Sequence, residues 1–167
     1  WVAEFPEVAE KRGSTHSINF DIVLGNPPYG DLLGEEEKLF VSTYETNDVH
    51  DISANFVERE LQLLKEDGYF GNITTLRLVY QSSLEDFHDL LRQKLAQTNI
   101  ACFGSRPSRV FSNADIKTSI IAGGGQVDGE GTMWTSDAII FTDQDRQEKF
   151  EDIQYEEISD FVLREKI

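Results

Sequence analysis

The apolar run FDIVLG ends in Asn26, Pro27, Pro28 and Tyr29, and these four residues offer a specific kind of chemistry. Two consecutive prolines fix φ and carry no N–H, so the corner is stiff and its carbonyls face outward. Asn26 contributes a neutral side-chain oxygen, and the Pro27 carbonyl supplies a second acceptor close by. Two acceptors converging on one point suit an exocyclic amino group, whose two protons need two partners. Tyr29 adds a flat face on which an aromatic ring can stack. In open α/β sheets, ligands bind beyond the carboxyl ends of the strands, and the corner stands at such an end.

The elements that position it read as follows. INFDIVLG is a near-continuous apolar run, as expected of a strand buried on both faces. Residues 30 to 50 are polar and irregular, a surface loop with a helical turn. From Asp51, the residues Ile52, Phe56, Val57, Leu61 and Leu64 recur at helical spacing, with Lys65 and Gly68 as a C-terminal stop. GYFGNIT (68 to 74) predicts a second strand. Ser82 and Glu85 have capping-box spacing before a second amphipathic helix carrying Leu84, Phe87, Leu91 and Leu95. NIACFG (99 to 104) and KTSIIAGGG (117 to 125) predict a third and fourth strand, and TMWTSDAIIFT a further strand or hairpin. No helix fits between these last two segments, which predicts antiparallel neighbours. The alternation argues for a three-layer α/β sheet. The tail from Asp143 onward is acidic and weakly helical.

Composition narrows the function classes. The chain has 167 residues, enough for one domain with a sizeable core, and with 39% hydrophobic and 28% charged residues it is globular. No apolar run approaches the roughly 18 residues of a membrane span. The single cysteine, Cys102, excludes an internal disulfide and fits a reducing cytoplasm. His16, His50 and His88 lack metal-ligand spacing, so no metal site is expected. The formal net charge of −16 is spread along the whole chain, and the pI is about 4.4. Such a surface repels itself in dilute buffer and is screened by strong salt, which points to a salt-loving source. Against that background Arg106, Arg109 and Lys117 form a locally basic stretch able to contact phosphates, with Arg77 a weaker candidate. A scattered surface role fits these cations equally well. The triple glycine at 123 to 125 opens no helix and reads as a turn.

NPPY after an apolar strand is similar to motif IV of the amino-group methyltransferases that use S-adenosylmethionine. EFPEVAEKRGSTHSINFDIVLGNPPYG as a whole resembles the adenine-N6 DNA methyltransferases of restriction–modification systems, especially the fused restriction–methylation enzymes. The resemblance continues through LLKEDGYFGNITT and SRVFSNADIKTSIIAGG in the expected order. It implies a partial Rossmann-like methyltransferase fold, α/β/α with a mixed sheet and an antiparallel last strand. It also implies S-adenosylmethionine as methyl donor and double-stranded DNA with a flipped adenine as partner. Asn26, Pro27, Pro28 and Tyr29 would be catalytic, with Tyr29 and Phe111 stacking on opposite faces of the base; Phe111 as an ordinary core residue is the competing assignment.

The family's cofactor pocket is built mostly by a preceding half that these residues do not include. Residues 1–142 then read as the C-terminal half of a catalytic domain and 143–167 as an acidic extension. The isolated chain is expected to be inactive, with an open edge on the NPPY strand through which it can self-associate. Two other readings share the motif: methyl transfer to a protein glutamine or to guanine-N2 of RNA, and a non-catalytic module that binds DNA or a partner chain.

Overall fold

A computed structural model describes residues 20–49, 51–80, 84–111, 115–125 and 127–158. Its centre is one mixed sheet. The strands are β1 (Phe20–Gly25), β2 (Leu64–Thr75), β3 (Gln97–Phe103), β4 (Thr118–Gly124), β5 (Thr132–Ile139) and β6 (Glu156–Ile158). The helices between and after them are α1 (Glu35–Val41), α2 (Ile52–Leu63), α3 (Arg77–Tyr80), α4 (Glu85–Lys94) and α5 (Arg146–Glu151). Strand order is β1-β2-β4-β3-β5-β6. β1 and β2 are parallel, as are β3 and β5, whereas β4 runs against both its neighbours and β6 against β5.

Strand order and one helix end depart from the sequence reading. The segments at 118–124 and 132–139 are not neighbours, because β4 inserts between β2 and β3 and leaves β5 to pair on the far side of β3. The long helix also stops earlier than Lys65 and Gly68 implied. Leu64 is already extended, its N–H closing onto the Leu61 carbonyl, and the chain passes straight into β2. Lys65 there pairs with Asp21 of β1 across the strand boundary.

One face of the sheet carries the main core. Phe70, Ile100, Cys102 and Ile121 point toward α2 and α4, where Val57, Leu61, Phe87 and Leu91 are fully or nearly fully buried. Side chains of this size each gain about 2 kcal/mol from leaving water. Each helix has the ends it needs. Asp51 caps α2 by accepting from the Ser53 N–H at 3.0 Å. In α4, Glu85 and Asp86 fill the first turn and Arg92 and Lys94 the last, so both ends complement the helix dipole. Ser82, the expected cap of that helix, lies outside the described residues, as do His16 and His50.

The opposite face is covered unevenly. Toward β5, Phe103 stacks on Phe150 of α5 with centroids 4.7 Å apart, and Phe141 meets both rings edge-on. Toward β1, Ile22 and Leu24 are 62% and 78% exposed, beside a 64% exposed Tyr69 on β2. The run that reads as a doubly buried strand is therefore a sheet-edge strand, and one of its faces is bare among the described residues. No described helix is long and apolar enough to cross a membrane.

The histidine of α4 is a core residue with a measurable consequence. His88 Nε2 lies 2.8 Å from the Leu78 carbonyl, to which it donates. Burial, reinforced by Arg92 and opposed by the Leu78 bond and by Asp89, pushes its pKa down to about 4. Above the unfolded value of roughly 6.5 both states are neutral and the group contributes no pH dependence. Below it the unfolded chain takes up a proton that the folded chain refuses, so stability falls as pH drops from 6.5 toward 4. Urea unfolding at pH 7 and pH 5 is expected to show about 2 kcal/mol more loss in the wild type than in His88→Leu. Parallel losses in the two proteins would show that His88 is not the responsible group.

Candidate functional site

At the carboxyl end of β1 the backbone leaves the sheet through Asn26 to Tyr29. Pro27 is buried and anchors the turn, whereas Asn26 and Pro28 are exposed and Tyr29 is half-buried. The Tyr29 hydroxyl lies 2.8 Å from Asn26 Oδ1 and 3.2 Å from the carbonyl oxygen of Ile73 on β2. The single phenol proton serves one of these acceptors at a time, and Asn26 Oδ1 is the nearer. Burial, and secondly the charge of Asp51, raise the Tyr29 pKa above its ordinary value, so the hydroxyl keeps its proton.

Behind the corner the chain is fastened to α2. Gly30 adopts a φ of 98°, a conformation open to glycine at little steric cost, and its carbonyl accepts from the Ile52 N–H at 2.9 Å. Its own N–H donates to Asp51 Oδ1 at 3.2 Å. That same buried oxygen takes the Ser53 N–H and hydroxyl, so one carboxylate closes the loop and caps the helix together. In front, Gly25 pairs with Asn72 of β2, and the Asn72 amide donates to Glu60 of α2. A side chain on Gly25 would run into both Asn72 and Glu60. Burial raises the Glu60 pKa, and the Asn72 bond opposes that rise.

The other candidates sit on the same rim of the sheet. β2 ends at Thr75, β3 ends at Phe103 and β4 begins at Thr118, all in register. Arg77 follows β2 directly, and the Leu76 N–H donates to the Lys117 carbonyl at 3.0 Å, which brings those two cations to neighbouring strand ends. Arg106 and Arg109 lie in the connection from β3 to β4, and both reach Asp115 Oδ2, at 2.9 and 3.4 Å. Phe111 is half-buried in that connection, next to Val110, whose carbonyl accepts from Arg146 at 2.9 Å. Across the sheet β3 is three strand spacings, about 14 Å, from β1, and Phe111 stands in the loop beyond the β3 end.

A concavity lies between the two helices that follow the corner. Leu33, Phe40, Tyr44, Ile52 and Phe56 line a hollow of about 280 Å³ between α1 and α2. Sequence reasoning did not single out Asp51, Glu60 or Asn72. The Asp-x-Ser pattern at 51–53 was a legible cap signal, whereas the contact of Gly25 with Asn72 arises only from strand pairing.

The chain belongs to the Eco57I restriction-modification methylase family, whose model matches residues 1–111. It is 29% identical over 115 residues to the type II restriction enzyme and methyltransferase RM.Eco57I of Escherichia coli, covering 63% of this chain but only 11% of that protein. Among solved structures it resembles one chain of the DrdV–DNA complex, with a TM-score of 0.65 and 16% identity over 93% of this chain and 19% of that one. It also resembles the type I restriction-modification methyltransferase subunit of Streptococcus thermophilus, with a TM-score of 0.58 and 17% identity over 82% of this chain and 32% of that one. The fold is a partial methyltransferase fold, and the chain spans a small part of each of these proteins.

Proposed function

We propose that this segment is the target-base side of a DNA adenine-N6 methyltransferase from a restriction–modification system. The enzyme would move a methyl group from S-adenosylmethionine to an adenine flipped out of double-stranded DNA. The observation that carries this reading is the exposed Asn26 at the carboxyl end of β1, its Oδ1 steadied by Tyr29 at 2.8 Å.

A purine amino nitrogen is a poor nucleophile because its lone pair is delocalised into the ring. Hydrogen bonds from its two protons to Asn26 Oδ1 and the Pro27 carbonyl favour a more pyramidal nitrogen and localise the pair. No proton need leave before attack; the nitrogen would release one to water after it has gained the methyl group, so positioning does most of the work. Extruding the base costs a few kcal/mol, which stacking on Tyr29, with Phe111 brought over the other face, helps offset. Arg77, Arg106, Arg109 and Lys117 would meet phosphates along the rim, a phosphate competing with Asp115 for the two loop arginines. With so acidic a chain these contacts must be local. DNA is bound by DrdV, a neighbour in fold.

Bound to the enzyme, S-adenosylmethionine supplies an electrophilic methyl group. The residues here fit the acceptor side of that reaction. They give no glycine-rich turn after β1, where Asn26 and the two prolines stand instead, and among the described residues β1 is a sheet edge with a bare apolar face. The preceding half that the family resemblance implies would hold the cofactor and cover that edge, which otherwise invites self-association. In this reading residues 1–142 form the C-terminal catalytic half, 143–167 are an acidic extension whose α5 and β6 pack back onto the sheet, and the enzyme works in the cytoplasm of a salt-loving cell.

The test joins this segment to its natural upstream region and supplies labelled S-adenosylmethionine and DNA. N6-methyladenine is the expected product, and the 167-residue chain alone is expected to give none. Label found on protein glutamine or RNA guanine, or methyl transfer by the isolated chain, would overturn the reading.

A further inference from the structure

We propose that the Tyr29 hydroxyl, separately from the stacking face of its ring, is a positioning group that sets the direction in which Asn26 Oδ1 accepts a substrate proton. The inference rests on the methyltransferase reading above and assigns a task within that site.

An exposed asparagine ordinarily samples several rotamers, and fixing it when substrate arrives costs side-chain entropy. Asn26 is exposed, yet its carbonyl oxygen already holds the Tyr29 O–H at 2.8 Å. An amide oxygen has two lone pairs in the plane of its carbonyl group. With one occupied by Tyr29, the other points in a single direction, and that direction belongs to the incoming amino group. Tyr29 is itself held: Pro27 of its own turn is buried, and the following residue is tied to Asp51 and Ile52.

The hydroxyl has one proton and two acceptors within reach, because the Ile73 carbonyl oxygen lies at 3.2 Å. That proton serves one acceptor at a time: the shorter contact gives it to Asn26, and the Ile73 carbonyl takes it when the asparagine turns away. Loss of the hydroxyl therefore removes the steadying bond on the asparagine without removing the ring, the turn or the acceptor itself. The predicted signature is a rate defect without a binding defect.

The experiment uses Tyr29→Phe in the polypeptide that carries the upstream region, with Asn26→Ala alongside. Single-turnover methyl transfer is expected to fall about tenfold in Tyr29→Phe, the worth of one ordinary hydrogen bond. DNA affinity, and the fluorescence of 2-aminopurine placed at the target position, should match wild type, since both report extrusion and stacking. In the 167-residue chain, the Asn26 side-chain amide resonances should shift and narrow toward those of a free asparagine when Tyr29 becomes Phe. Wild-type transfer rates in Tyr29→Phe, with Asn26→Ala inactive, would overturn this inference and leave the methyltransferase reading standing. A rate loss accompanied by equal loss of base extrusion would also overturn it, assigning the hydroxyl to stacking. An Asn26→Ala protein as active as wild type would remove the methyltransferase reading and this inference with it.

Discussion

Asn26→Ala, in a polypeptide that includes the upstream region, is expected to lower single-turnover methyl transfer to DNA by about three orders of magnitude. One preorganised hydrogen-bonding group aimed at a reacting centre is worth about 10²- to 10³-fold in rate, and here a second effect adds to it. The Pro27 carbonyl alone leaves the second amino proton without a partner, so the nitrogen stays flat and poorly aligned with the methyl group. Three orders of magnitude correspond to about 4 kcal/mol of transition-state stabilisation. Asn26→Asp retains acceptor oxygens at the same place and should keep far more of the rate than alanine does. Asn26 is exposed and its partner Tyr29 has the Ile73 carbonyl as a second acceptor, so the alanine variant should unfold within about 0.5 kcal/mol of wild type. Transfer within threefold of wild type would mean that this corner does not hold the reacting nitrogen.

The corner was legible in the sequence because every part of its signal is local. An apolar run, a glycine, an acceptor side chain and two prolines occupy consecutive positions and need no knowledge of the rest of the fold. The structure adds what lies far away in the chain. Asp51, which ties the loop to α2, is separated from Gly30 by 21 positions and acts on it through a single carboxylate oxygen. Asn72 becomes a neighbour of Gly25 only through the parallel register of β1 on β2.

The same distinction explains the errors in the fold. Helix and strand types followed from hydrophobic period, as in α2 and α4, whose buried faces carry Val57 and Leu61, and Phe87 and Leu91. Strand order did not, since the insertion of β4 between β2 and β3 leaves no mark on the few residues that connect β4 to β5. Ile22 and Leu24 show a further reason. Their apolar character records a need for cover, but the covering element is not among the described residues, so periodicity reads as burial what the structure exposes.

Gly25→Ala should damage both folding and transfer, and comparison with Gly71→Ala shows why. Both glycines lie on adjacent strands, and both would meet a side chain if given a Cβ. At Gly71 the atom in the way is Leu24 Cδ2, at 2.9 Å, the far end of an exposed side chain that can swing into solvent. Its substitution should cost less than about 0.5 kcal/mol. At Gly25 the obstacles are Asn72, 1% exposed, and Glu60, and these two are bonded to each other. Either they separate, leaving a buried amide without its acceptor, or β1 lifts from β2 and carries Asn26 away with it. Overpacking and a broken buried hydrogen bond together make about 2 kcal/mol the expected loss in urea unfolding. Methyl transfer should fall by more than stability alone explains, because the displaced atom pair lies directly behind the acceptor. In an Asn72→Ala background the nearest obstacle is gone, so Gly25→Ala should cost less there than in wild type, a coupling that chemical denaturation can read directly. Equal costs in the two backgrounds would show that Asn72 does not set the spacing of β1 from β2 at the corner.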